Sequence, residues 1–388
     1  MQKISYFLSY AYSIAEGIES GSIDRTKKEL GYLSRYYLID VYSKDSNRFL
    51  AKLPSAFYMQ NVRYFGIPFS TSDRHLDNAR FLRKISSILM LIEYYFLLPF
   101  IYRKQLKSSS AAYICHVSGA FAAIMHKYLF NSKLKVIIKY SWNWSLFIKK
   151  DRNAIEQKIF SFFERVSLNG SDMILPATEE IREYIEKIIK KKKDIRMLPN
   201  WVDCDQFTVR NQQKEYDIIN VGRLAEQKNH LLLLESVKEY YEEYGVRLKI
   251  LIIGSGHLRE KISGYARDNS LNVTIVDKVK NDMIAEYYNK SRIFVMPSLY
   301  EGHPKSLLEA MACGIPAIGT DVTGINSVIE NNYNGLVCRE GSGDIKEMMH
   351  LLITDIEKMR DLGKNARTYI LANFSFNSIV EKLRRNIE

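Results

Sequence analysis

Residues 292–321, RIFVMPSLYEGHPKSLLEAMACGIPAIGTD, decide the fold. The apolar run Ile293–Met296 reads as a buried strand, and the polar bend Glu301-Gly302-His303-Pro304 stops it. A helix of small residues follows from Lys305 to Cys313, and Ile315–Asp321 returns to an apolar strand. Strand, helix and strand in that order are a βα repeat around a parallel sheet. Two acids, Glu301 and Glu309, flank the strand-to-helix joint.

The same alternation extends outward from this unit. YDIINVGRL, RLKILIIGSG and NVTIVDK read as strands separated by the helices HLLLLESVKEYYEEY and HLREKISGYARDN. DMIAEYYNKS is a further helix, and NGLVC closes the series. Upstream, AAYICHVSG, LKVIIKYS and SDMILPAT read as strands of another sheet, and the MQKISYF end as its first strand. The loop MLPNWVDCDQF, residues 197–207, is the crossover between the two sheets. A chain of 388 residues has the length for two domains. The expectation is an α/β protein of two doubly wound domains with a cleft between them. Residues 1–199 form the first, joined by 371–388 crossing back, and 200–370 form the second. Such sheets bind ligands where strands run into helices, and the polar motifs lie at those junctions.

Net charge is +12 and unevenly spread. Residues 200–370 hold 21 Lys+Arg against 24 Asp+Glu, and the remainder 35 against 20, so the first domain carries the whole excess. Its run EKIIKKKKDIR, residues 186–196, points to anionic lipid, a phosphorylated substrate or a solvated basic surface. No nucleic-acid motif accompanies it. Cys115, Cys204, Cys313 and Cys338 are far apart, without C-x-x-C spacing, which suits a reducing compartment and no structural metal. The N-terminus lacks the long apolar core and cleavage site of a signal peptide. Residues 85–102, ISSILMLIEYYFLLPFIY, carry Glu93 and Pro99 and are flanked by Arg83, Lys84, Arg103, Lys104 and Lys107. Three readings stand for them: a buried helix, an interfacial helix and a spanning one.

In NVGRLAEQKN, Gly222 permits close backbone approach while Arg223 and Lys228 follow the strand end. A guanidinium fork and an ammonium there suit a diphosphate. A carboxylate beside a helix N-terminus accepts well from sugar hydroxyls. The N–H groups of Gly302, His303, Lys305 and Ser306 are placed for hydroxyls or phosphate, while Pro304 stiffens the turn.

These motifs, with GSDMILPATEEIREYI, LPNWVD and DVTGI, occur together in one order, and over about residues 170–340 the chain resembles the retaining glycosyltransferases of family four. That resemblance implies the GT-B fold. It also implies that Arg223 and Lys228 hold the diphosphate of a nucleotide sugar, that Glu309 binds the ribose hydroxyls and that Glu301 contacts the transferred sugar. The loop at Gly254 would lie near base and phosphates, although Gly254-Ser255-Gly256 lacks the third glycine of a dinucleotide loop. The implied reaction is front-face transfer with retention, in which the leaving phosphate takes the acceptor proton. The expectations are therefore no cofactor and no metal, with the DCD at Asp203–Asp205 a hinge sequence and not a metal motif.

The first domain departs from the family pattern. The adjacent glycine pair after the first strand is replaced by separated Gly17 and Gly21. Where relatives often carry a histidine, VIIKYSWNW offers Lys139, Tyr140, Trp142, Asn143 and Trp144. His116 at the preceding strand end is the candidate substitute for that catalytic position, against a packed or capping role. Trp142 and Trp144 suit either stacking on a sugar or packing under the crossover. The expected partners are a nucleotide-sugar donor of undetermined base and a glycan or lipid-linked acceptor in cell-surface polysaccharide synthesis, such as capsule or lipopolysaccharide. Peripheral contact with anionic membrane is a third. The expected place is the cytoplasm, at the inner face of the cell membrane. Two other functions fit the sequence: an epimerase or hydrolase of nucleotide sugars, and a non-catalytic scaffold that binds glycan or lipid.

Overall fold

The computed structural model describes residues 1–8, 14, 23–67, 92–142, 154–277 and 279–388. It divides into two compact units, Met1–Leu198 with Lys382–Glu388, and Pro199–Glu381. The junction thus lies at the Leu198–Pro199 peptide. Residues 374–381 stay with the second unit because Val202 N donates to Phe374 O at 2.9 Å and Phe376 N to Val202 O at 3.0 Å. The second half of the helix Phe376–Ile387, from Lys382, joins the first unit, where Lys135 Nζ donates to Asn386 O at 3.0 Å.

The first unit holds seven described strands: β1 (Gln2–Phe7), β2 (Tyr37–Ser46), β3 (Val62–Ile67), β4 (Ala111–Ile114), β5 (Lys135–Tyr140), β6 (Met173–Pro176) and β7 (Asp194–Ile195). All neighbours are parallel, in the order β3-β2-β1-β4-β5-β6-β7. β4 and β6 are buried along their whole length, as strands covered by helices on both faces must be. Phe7, Ile114, Ile138 and Ile174 form one core layer with Ala122 and Ala123 of the helix Ala120–Phe130. β2 breaks the apolar pattern with Asp40, which is buried yet satisfied by Lys3 at 2.7 Å and a two-pronged contact from Arg63. In the lysine run, Lys193 Nζ donates to Asn169 O at 2.7 Å and Ser171 O at 2.6 Å, closing the end of the helix Ala154–Gly170.

Of residues 85–102, those before 92 lie outside the described residues. The rest form a π turn, Glu93–Leu97, and the helix Leu98–Ile101, with the helix Arg103–Lys107 directly after. Pro99, in the first turn of the second piece, lacks the N–H that would continue the ladder. Tyr94, Tyr95, Leu98 and Tyr102 point into the core. No helix among the described residues is long and apolar enough to cross a membrane.

The second unit repeats the plan with β8 (Tyr216–Val221), β9 (Lys249–Ile253), β10 (Asn272–Val276), β11 (Ser291–Met296), β12 (Ala317–Thr320) and β13 (Leu336–Cys338). Their order is β10-β9-β8-β11-β12-β13, all parallel. Alternate residues of β8 and β9 enter opposite layers: Ile219 and Leu251 one, Ile218, Ile250 and Ile252 the other. The helix His230–Tyr244 ends on Gly245 at φ 70, the left-handed cap that glycine provides without strain.

Candidate functional site

In the second sheet the strand order reverses between β8 and β11, so their carboxyl ends open outward with no crossover helix between them. The opening stretch and the NVGRLAEQKN motif lead out of these two neighbours. After β8 the chain makes a short turn, Glu226–Lys228, and then takes Asn229 at φ 48 into the helix His230–Tyr244. Gln227, buried beneath, ties this turn to the loop after β11: its carbonyl accepts from Leu299 N and its Nε2 donates to Tyr300 O, both at 2.9 Å. That double bridge holds Lys228 Nζ 2.5 Å from Glu301 Oε1, with both side chains mostly out of solvent. An ion pair so placed is directional and weakly screened.

The glycines around it let backbones touch. A Cβ on Gly254 would lie 1.8 Å from Gly222 O, one on Gly256 2.3 Å from Leu224 O, and one on Gly222 3.0 Å from Lys228 Cε. The β8 and β9 loops are therefore laid together, with Gly222 N on Ile253 O and Leu224 N on Ser255 O, both at 3.0 Å. On the Glu301 side, Gly324 fits only because its missing Cβ would stand 2.5 Å from both Glu301 O and Gly302 O.

Asn200 fixes the Gly-His-Pro bend by donating from Nδ2 to His303 O at 2.9 Å, and the His303 ring packs edge-on against Phe374. Pro304 caps the helix Lys305–Ala312 without a side-chain cap, so its first-turn N–H groups are not taken by a capping residue. Glu309 is the fifth residue of this helix, just past its first turn. It is buried, and Tyr288 OH donates to its Oε2 at 3.3 Å and to Ser306 O at 3.2 Å.

The structure thus brings Lys228, Glu301, Gly222, Gly254 and the Gly302–Glu309 segment around one pair of strand ends. Arg223 differs: it is exposed, and among the described residues its side chain makes no hydrogen bond or ion pair, while its carbonyl accepts from Ala225 N at 2.9 Å. Lys305 is exposed and Ser306 half-buried at the helix start. Asp203 of the DCD sequence spends its carboxylate on a turn, accepting from Asp205 N at 3.2 Å. No group of three metal-ligating side chains occurs among the described residues.

His116 belongs to the first unit, at the β1/β4 reversal. Its Nδ1 accepts from Ser118 N at 3.2 Å, capping the turn Val117–Gly119, and its ring stacks on Trp142 at 4.7 Å. Burial pulls its pKa down to about 3, which makes it a weak base near neutral pH. Lys139 is buried, and burial lowers its pKa against the field of Glu29. Gly17, Gly21, Asn143 and Trp144 lie outside the described residues.

His230, under the Lys228 turn, is also held neutral: burial first, then the Lys228 charge, bring its pKa down to about 4. The sign follows. Below about pH 6.5 the unfolded chain protonates both histidines while the folded chain does not, so stability falls as pH drops toward 3–4. At about pH 5 each contributes a loss of about 2 kcal/mol. Thermal melts from pH 7 to 5 will show it, and His230→Gln will flatten the slope; an unchanged slope contradicts the assignment.

Sequence reasoning missed Gln227, Asn200 and Tyr288. The first two act through amide bonds to backbone that carry no spacing signal, and Tyr288 reads as an ordinary core aromatic.

Residues 204–369 match the family described as glycosyl transferases group 1. An uncharacterized glycosyltransferase of Methanocaldococcus jannaschii is 24% identical over 318 residues, 81% of this chain and 84% of that one. The Escherichia coli UDP-Gal:alpha-D-GlcNAc-diphosphoundecaprenol alpha-1,3-galactosyltransferase is 26% identical, and the match spans 52% of this chain and 55% of that protein, about half of its length. Among solved structures, sucrose-phosphate synthase from Thermosynechococcus elongatus superposes with a TM-score of 0.79 at 16% identity, covering 100% of this chain and 98% of that one. Residues 204–369 are thus similar to the glycosyl transferases group 1 family, and the two parallel sheets are the GT-B fold.

Proposed function

We propose that the protein transfers a sugar from a nucleotide diphosphate sugar to a glycan or lipid-linked glycan acceptor, with retention at the anomeric carbon and without a metal. The observation that carries this reading is the Lys228–Glu301 pair at the β8/β11 reversal, flanked by the exposed Arg223 and the buried Glu309. Each has a role in it. Arg223 and Lys228 face the diphosphate, where negative charge grows as the bond from the anomeric carbon to the phosphate oxygen breaks. Glu301 accepts from hydroxyls of the sugar, and Glu309 from those of the ribose. The acceptor oxygen bonds the anomeric carbon on the face the phosphate leaves, and its proton passes to the leaving phosphate oxygen. The weak basicity of His116 supports giving that proton to the phosphate and not to the ring. The printed name of the Escherichia coli relative, with UDP-galactose and a diphosphoundecaprenol acceptor, makes UDP-sugars and lipid-linked acceptors the first to try. The roles in polysaccharide synthesis and at the cytoplasmic membrane face belong to this same reading.

The test is incubation with UDP-sugars and diphosphoundecaprenol-linked acceptors, with and without chelator, and determination of the product anomer by NMR. The expected result is an α product from an α donor at a rate indifferent to chelator. Conversion or hydrolysis of the donor with no acceptor present would favour an epimerase or hydrolase. A second expectation concerns the ribose: Glu309→Ala weakens nucleotide binding by about 1–3 kcal/mol, because two hydroxyl donors lose their acceptor. Calorimetry on that variant checks it, and unchanged affinity refutes the role given to Glu309.

A further inference from the structure

Of the 22 large apolar side chains exposed among the described residues, ten belong to three helical stretches of the first unit that pack on one another. Ile92, Phe96, Leu97, Phe100 and Ile101 come from the π turn and its neighbours. Ile155, Ile159 and Phe162 recur at i, i+4 and i+7 along the helix Ala154–Gly170, one stripe of its surface. Tyr128 and Leu129 end the helix Ala120–Phe130. Ring contacts join the three: Phe96 meets Phe163 at 6.4 Å and Phe121 at 5.4 Å, and Phe100 meets Phe130 at 5.1 Å. This is a continuous apolar face, not scattered residues. A soluble surface seldom leaves so many large side chains together in water.

The charges around it select the occupant. Exposed Arg103, Lys104, Lys107, Lys158 and Arg165 lie on the same stretches. Of the acids there, Glu164 is buried and takes the hydroxyls of Tyr140 and Tyr184, which leaves Glu93 and Glu156, both only part exposed. Two copies meeting about a twofold axis would set these cations against one another. An anionic bilayer meets both demands, taking phenyl and aliphatic groups into the acyl boundary and cations at the headgroups. Among the described residues no helix is long and apolar enough to cross, and the contact argued for is with one lipid surface.

We propose that this face, formed by residues 92–107, 128–129 and 155–165, docks the protein on an anionic lipid surface. The proposal does not depend on the transfer reaction; with a lipid-linked acceptor it puts the first unit where that acceptor resides.

Sedimentation of the full chain with vesicles tests it, using phosphatidylcholine alone and phosphatidylcholine mixed with phosphatidylglycerol. The wild type is expected to sediment with the mixed vesicles and much less with the neutral ones. Phe100→Glu with Phe162→Glu, both at exposed positions, lowers that binding at least about tenfold, since two phenyl groups leave the lipid boundary. Arg103→Gln, Lys104→Gln and Lys107→Gln together remove most of the preference for the mixed vesicles. Circular dichroism melts confirm that the variants fold. Three results would each overturn the proposal. They are wild type that stays in solution with both vesicles, a double variant that sediments like wild type, and a concentration-dependent dimer that Phe100→Glu dissociates without any vesicle binding. The last would assign the face to a second copy of the chain.

Discussion

Lys228→Met is expected to lower kcat/KM for glycosyl transfer by about a hundredfold to a thousandfold, the effect of removing one preorganised charge from a developing anion. The structure adds a second consequence. Lys228 is the partner of Glu301, whose side chain is 7% exposed, so the substitution leaves a carboxylate buried without its cation. Breaking such a pair from one side destabilises by about 3–5 kcal/mol. The two effects separate in the double variant Lys228→Met with Glu301→Gln. There the stray charge is gone, so stability measured by denaturant melts recovers by most of that amount while activity stays low. Arg223→Ala provides the contrast: because Arg223 is exposed and holds nothing in place, it lowers nucleotide affinity without changing the melt. Recovery of activity in the double variant would place Lys228 in a structural role alone.

Gly254→Ala is expected to destabilise the second unit by about 3 kcal/mol and to abolish measurable nucleotide binding. The new methyl would sit 1.8 Å from Gly222 O, a backbone atom that cannot swing aside as a side chain can. Relief must come from parting the β8 and β9 loops, which takes Lys228 away from Glu301. Gly264→Ala, in the helix Arg259–Asp268, is the control. Nothing lies within 4 Å of its added Cβ, so it gains about 0.5–1 kcal/mol of helix propensity. Equal melting temperatures for the two variants would show that the loops are not in contact in solution.

The sequence revealed the second unit well because its inner strands, such as β11 and β12, are buried on both faces and read as apolar runs. It revealed the first unit poorly before Ala111. There β2 carries Asp40 inside the sheet, which breaks the run, and only the approach of Lys3 and Arg63 makes that position tolerable. Site residues were legible one at a time by chemical type and position at strand ends. Their pairing was not: Lys228 and Glu301 are 73 residues apart, and what joins them is the adjacency of β8 and β11 with the amide of Gln227. The lysine run drew attention through charge density, yet Lys193 closes a helix end while the basic rim of the apolar face lies elsewhere. Which side of a helix faces water depends on neighbours that local spacing does not identify.

The most direct measurement of the central claim is calorimetric titration of the protein with UDP, GDP, ADP and CDP in chelator, repeated on Lys228→Met and Glu309→Ala. The account predicts selective binding of one of the four without metal, weakened in both variants. Binding that needs magnesium, or that neither substitution changes, would contradict a donor site built on Lys228, Glu301 and Glu309.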